Sequence, residues 1–196
     1  VGWGMYISRD PELMNQIVSL ANRIPQSASS PAALERLANR YLFNPGVLWT
    51  TFIYVGVLVP IAEELIKPIG VWLLGRRELS PSEGLLLGML CGAGYGLFEN
   101  LTLGTMVDMW AVLSISRVGT TLMHIFTSGL VGWGLASAWK EKTYFQLGAS
   151  FLAAVLIHAA WNLLTLFNSF NQFEGARDAF GEFGSRLAFL VPISLV

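Results

Sequence analysis

Charge is scarce in this chain of 196 residues, with 12 Lys and Arg against 13 Asp and Glu and a formal net charge of −1. A nucleic-acid surface needs a basic stripe or patch, and nothing here supplies one, so nucleic acid is set aside as a partner. Cysteine is nearly missing too. The lone Cys91 lies in an apolar stretch, which excludes a disulfide framework and any cysteine-based zinc site. Histidine occurs only at positions 124 and 158. Neither H-E-x-x-H nor G-x-S-x-G is present, so the zincin helix and the nucleophile elbow are both ruled out. Ser128, next to Gly129, is a weak nucleophile candidate.

Apolar residues are abundant. They make up 54% of the chain, and the mean hydropathy of +0.55 is too high for an ordinary soluble domain. Four stretches are long enough to cross a bilayer: Gly46 to about Leu74, Gly84–Gly104, about Met109 to Trp139, and Tyr144–Phe167. The expected fold is an all-α, polytopic transmembrane helical bundle preceded by short amphipathic helices. Asp10-Pro11 and Ser30-Pro31 are the expected starts of those two helices, Pro11 to about Arg23 and Pro31–Leu42. The expected divisions are residues 1–45 for the amphipathic segment, 46–169 for a four-span core, and 170–196 for a loop and an apolar end. Because the chain starts at Val1 and stops inside the apolar run Leu187–Val196, a trimmed fragment is expected. Arg76, Arg77, Lys140 and Lys142 lie in short loops on one side, which the positive-inside rule makes cytoplasmic.

Each apolar stretch carries ionisable groups that are costly in lipid, at about 2.5–3.5 kcal/mol each on insertion scales. Glu63, Glu64 and Lys67 lie in the first, within one arc of about 100° on a helix. Glu99 lies in the second, on the same face as Gly88, Gly92 and Gly96, whose spacing lets another helix approach closely. The third has the polar stripe Arg117, Thr121, His124 and Ser128, and the fourth pairs His158 with Asn162. From the basic loops, Glu63 is 13 residues in from Arg76, Glu99 is 16 from Glu83, His124 is 16 from Lys140, and His158 is 16 from Lys142. At the helical rise these are depths of about 20–24 Å. Four helices thus bring their polar groups to one level, nearer the outer face of a core about 30 Å thick.

Two neutral imidazoles and a carboxylate make a catalytic zinc set with a place left for water, and another carboxylate beside that water can act as general base. A pair of haem-ligating histidines would leave three glutamates without a purpose. A cation or proton transporter using Glu63, Glu64 and Glu99 as a relay is the main alternative, though no inverted repeat is evident.

With these residues in view, the chain resembles the PrsW family of intramembrane proteases, distant relatives of the type II CAAX prenyl endopeptidases. The resemblance rests on Glu63-Glu64-Leu65-Ile66-Lys67, Gly94-Tyr95-Gly96-Leu97-Phe98-Glu99-Asn100, Arg117, His124-Ile125-Phe126-Thr127-Ser128-Gly129 and His158-Ala159-Ala160-Trp161-Asn162, in family order. It implies an integral, multi-pass protease of a bacterial or archaeal cell membrane that cuts membrane-associated proteins, anti-sigma factors among them. It also implies that the Glu63-Glu64 pair supplies the catalytic carboxylate, with His124 and His158 as metal ligands or transition-state stabilisers. Glu99 stands where the CAAX relatives commonly have a histidine. The expected mechanism has zinc on His124, His158 and Glu99, with Glu64 a fourth or supporting group. Glu63 activates the water, and Asn162 or Arg117 steadies the oxyanion. A metal-free mechanism carried by the two glutamates is the other expectation.

Overall fold

The computed structural model describes residues 45–75, 78–104 and 117–170, with isolated positions 15, 18, 19 and 36. Those four positions are helical. The two amphipathic helices expected before residue 45 otherwise lie outside the described residues, as does everything after residue 170. Among the described residues every regular element is a helix. In chain order they are α1 (Pro45–Ile53), a π-helical turn (Tyr54–Leu58), α2 (Val59–Ile66), α3 (Ile69–Leu73), α4 (Pro81–Gly104), α5 (Val118–Glu141) and α6 (Tyr144–Phe170).

The first apolar stretch is broken twice, both times at proline. Pro60 has no N–H to give the carbonyl of Gly56, and its ring crowds that carbonyl. The chain widens just before it into the π turn, where the Val59 N–H reaches Tyr54 O. At the second break, Lys67 N closes α2 on Glu63 O at 2.8 Å, and Pro68 then starts α3 by accepting from Val71 and Trp72 at 2.9 and 3.0 Å. The π turn leaves backbone carbonyls without their usual helical donors. Asn162 on α6 answers one of them, donating Nδ2–H to Val55 O at 3.1 Å.

α4 begins on a reciprocal capping box, in which Glu83 Oε2 accepts from the Ser80 N–H and hydroxyl, both at 2.7 Å, while Ser80 Oγ accepts from Glu83 N. α4 and α5 pack closely because glycine faces backbone. A Cβ on Gly88 would run into Ser128 O, one on Gly92 into His124 O, and one on Gly96 would lie 2.9 Å from Thr121 Cγ2. Moving up α4 from 88 to 92 to 96 therefore means moving down α5 from 128 to 124 to 121, so the two helices run antiparallel. The third helix starts later than expected, at Val118 with Arg117 in the N-cap position at φ −100° and ψ 6°. The expected beginning of that span, 109–116, lies outside the described residues. Arg117 is consequently at a helix end, where its side chain can swing across to α4. α5 and α6 are joined by a tight turn in which Lys142 takes the left-handed conformation at φ 59°.

The distribution of polarity is inverted relative to a soluble protein. Leu73, Leu90 and Phe145 are 79%, 68% and 87% exposed, whereas Glu64, Lys67 and His158 are 0%, 4% and 1% exposed. Large apolar side chains turn outward on all four long segments, including Leu86, Leu97 and Phe98 of α4 and Leu122 and Phe126 of α5. Water does not permit so large an apolar exterior, and lipid does. Gly46–Leu73 and Tyr144–Phe170 are long and apolar enough to cross a membrane. The chain is an all-α membrane protein.

Candidate active site

The site has two halves, one built around a buried ion pair and the other around a part-buried one. Glu64 Oε1 accepts from Lys67 Nζ, from Thr127 Oγ1 at 3.0 Å and from His158 Nδ1 at 2.8 Å. A carboxylate and an ammonium without water are tolerated only when paired and hydrogen-bonded, and here each has such partners. Lys67 Nζ also lies 2.9 Å from His124 Nδ1 and 5.4 Å over the Tyr95 ring. One ion pair thus touches both histidines, whose rings stand edge to face with centroids 5.2 Å apart. Tyr95 packs against the other side of His124 at 5.1 Å.

The second half lies on the opposite side of His124. Its Nε2 is 3.0 Å from Glu99 Oε2, and the same carboxylate oxygen takes Arg117 Nη2 at 2.7 Å. Arg117 Nε donates to Asn100 Oδ1 at 2.7 Å, and Asn100 Nδ2 donates to Thr121 Oγ1 at 3.3 Å. The N-cap position of Arg117 makes this bridge possible. Glu63 lies between the two networks, within reach of the Tyr95 hydroxyl. Its Oε2 is 3.8 Å from His158 Nε2. That oxygen is buried and has no hydrogen-bond partner among the described residues.

A cavity of about 290 Å³ runs past these groups, with Glu63, Glu99, Arg117, His124, His158 and Asn162 among its walls. Along α6 it continues from His158 to Ser169, toward the end of the bundle away from Lys140 and Lys142. Trp161 forms part of the wall, held by its Nε1–H to Thr120 Oγ1 at 3.2 Å. The seven residues singled out from sequence are therefore at one place, but they do different things. All but Glu64 line the cavity, and Glu63, His124 and His158 bring ligand atoms within 4.8 Å of one another there. Glu64 is sealed behind His158, Glu99 is tied to His124 and Arg117, and Asn162 is tied to the π turn.

The donor set suits a divalent cation in part. Glu63, His124 and His158 each offer one ligand atom, and these atoms lie within 4.8 Å of one another. Glu99, expected in that set, is not in this cluster and Glu63 takes its place, because the Arg117 guanidinium and the His124 ring draw the Glu99 carboxylate aside. The unpartnered Glu63 Oε2 and the Nε2 of His158 are acceptors with no donor assigned to them, and they fit a cation as they stand. The Glu64 carboxylate on His158 Nδ1 is the usual support for a metal-binding imidazole. His124 has both ring nitrogens engaged, one by Lys67 and one by Glu99.

Two contributors stand in the quoted motifs but were given no role from sequence. Thr127 holds Glu64, and its position three residues after His124, on the same helix face, was the available signal. Asn100 anchors Arg117, and only the helix crossing reveals it.

The family model for PrsW family intramembrane metalloproteases matches residues 26–193, which includes every residue of this site. No curated protein and no solved structure matches the chain.

Proposed function

The chain belongs to the PrsW family of intramembrane metalloproteases, and from that membership we propose that it hydrolyses peptide bonds of membrane-associated proteins with Glu63 as the water-activating base. One observation carries this assignment. Glu63 Oε2 is a buried carboxylate oxygen without a partner, beside a cavity and 3.8 Å from His158 Nε2. An unsatisfied buried acceptor costs about 1–3 kcal/mol or more, so it is expected where a water or ligand completes it. Glu64 Oε2 is likewise buried without a partner, but Glu64 is less suited to the task, since its Oε1 already takes three donors, it has no exposed surface and it does not line the cavity as Glu63 does.

In this reading Glu63 Oε2 takes the proton of a water as that water attacks the scissile carbonyl, and then passes it to the leaving amine. His158 faces the same space with Nε2. Arg117 and Asn162 are the nearest candidates to steady the oxyanion. Each already has a fixed bond, to Glu99 and to Val55 O respectively, but each retains further N–H hydrogens. A divalent ion, zinc by the nitrogen and oxygen donors on offer, would be held by His158 Nε2 and one oxygen of Glu63, leaving the other Glu63 oxygen to take the proton and His124 on the cavity wall, and when bound it would supply Lewis acidity at the carbonyl and the water.

Four membrane passes are supported by the outward-facing Leu and Phe side chains on α4 and α5 as well as on the two most apolar segments. With the basic loops in the cytoplasm, the cavity opens toward the outer boundary. The substrate class is then a membrane-anchored protein cut close to its extracytoplasmic juxtamembrane segment, as in anti-sigma factors.

The test is cleavage of membrane proteins in proteoliposomes, read as new termini by mass spectrometry. Glu63→Gln is expected to lower the rate by about 10²–10⁴-fold, the range for loss of a general base. Hydrolysis at the wild-type rate by that variant ends the assignment. Chelation followed by zinc addition checks the metal separately.

A further inference from the structure

The two histidines are held in ways that are chemically opposite. An ammonium has three donors and no acceptor, so Lys67 Nζ, 2.9 Å from His124 Nδ1, requires that nitrogen to be the acceptor. The ring hydrogen of His124 is then on Nε2, where the Glu99 carboxylate accepts it at 3.0 Å. Glu99 is an acceptor in this contact because Arg117 donates to the same oxygen at 2.7 Å. His158 is the reverse. Its Nδ1 faces Glu64 Oε1 at 2.8 Å, an oxygen that also accepts from Lys67 and Thr127. Its hydrogen is therefore on Nδ1, and Nε2 is left as a bare lone pair toward Glu63.

We propose that Lys67 is a positioning residue that fixes His124 as an Nε2–H donor and so keeps it out of the coordination sphere of any divalent ion, leaving Glu63 and His158 as the protein's ligands. The inference rests on the protease reading of the same site and refines the role of one of its residues. Two features reinforce it. Neither ring nitrogen of His124 has a lone pair to spare, and a buried ammonium against the ring repels a second cation bound there. Lys67 consequently does more than neutralise Glu64. It divides the labour between two imidazoles only 5.2 Å apart, one a hydrogen-bond donor on the cavity wall and the other a lone-pair ligand.

The small number of histidines makes a direct test practical. Selective ¹⁵N-histidine labelling of the full chain in liposomes gives four ring nitrogens in total, assigned with His158→Gln and read by solid-state NMR. The expected metal-free spectrum has one ring protonated at Nε2 (His124) and one at Nδ1 (His158). Adding zinc is expected to shift Nε2 of His158 and leave both nitrogens of His124 in place. In Glu64→Gln/Lys67→Met the buried pair is removed together, so no lone charge is left to unfold the bundle, and Gln can still accept from His158. His124 then keeps its Nε2–H toward Glu99, but its Nδ1 lone pair is released from Lys67 and is expected to respond to zinc. Both rings protonated at Nδ1 in the metal-free wild type, a zinc shift on wild-type His124, or a His124 Nδ1 that zinc leaves unmoved in the double variant would each overturn the proposal. A spectrum that zinc does not move at all removes the metal from the protease reading and with it the ligand assignment. The cleavage assay with Glu63→Gln reports independently on whether the chain is a protease.

Discussion

Gly92 offers a sharp test of how the site is held at its working distance. A methyl group there would collide with His124 O and lie 2.7 Å from His124 C and 2.8 Å from Ile125 Cα. All three are backbone atoms, so no side-chain rotation relieves the clash. Restoring an ordinary carbon–carbon separation of about 3.5–4.0 Å moves α4 away from α5 by about 1 Å. Glu99 travels with α4 and His124 with α5, so their contact, now 3.0 Å, lengthens to about 4 Å and ceases to be a hydrogen bond. Gly94 lies on the same helix with nothing within 4 Å of its would-be Cβ. Alanine at either position brings the same helix-propensity gain of about 1 kcal/mol, so the difference between the two variants isolates the packing. Overpacking of this kind costs about 1–3 kcal/mol. Gly94→Ala is expected to be neutral or stabilising in detergent unfolding and to keep its peptidase activity. Gly92→Ala is expected to be less stable by that margin and to lose most activity. Equal stability and activity in the two variants would refute the view that glycine sets the α4–α5 spacing and, through it, the site.

Other substitutions examine other parts of the structure. Glu64→Leu strands a buried Lys67 and is expected to destabilise by about 3–5 kcal/mol, whereas Glu64→Gln/Lys67→Met should cost much less; comparison of unfolding midpoints checks this. Asn162→Leu leaves Val55 O without its donor in a part-buried turn, for an expected loss of about 1–3 kcal/mol in the same assay. Lys142→Gly relieves a left-handed residue at φ 59° and is expected to stabilise by up to about 1 kcal/mol. At the start of α4, the Ser80 N–H and hydroxyl pull the Glu83 carboxyl below its usual 4.5. Its folded-state pKa is depressed, so its contribution is present above that value and fades as pH falls through the lower one. Glu83→Gln should therefore lower stability at neutral pH and converge with the wild type in acid, as measured by unfolding against pH.

Much of the architecture could be read along the chain because it depends on one-dimensional quantities. Apolar length identified the two helical segments able to cross a membrane, proline located the two breaks in the first of them, and glycine at four-residue spacing marked the face where α5 packs. The constant rise of a helix also makes depth countable, which is why residues from four segments could be placed at one level. Rotation and handover between helices cannot be counted in this way. Neighbouring residues differ by about 100° around a helix, and the π turn before Pro60 alters the local winding, so which of Glu63 and Glu64 faces the cavity was decided only by packing against α5 and α6. The same is true of Glu99. Its depth suited a metal ligand, but the late start of α5 puts Arg117 close enough to claim it. The identities of the groups and their level belong to the sequence. Their partners on other helices depend on contacts between residues 17 to 107 positions apart, which exist only once the helices have met.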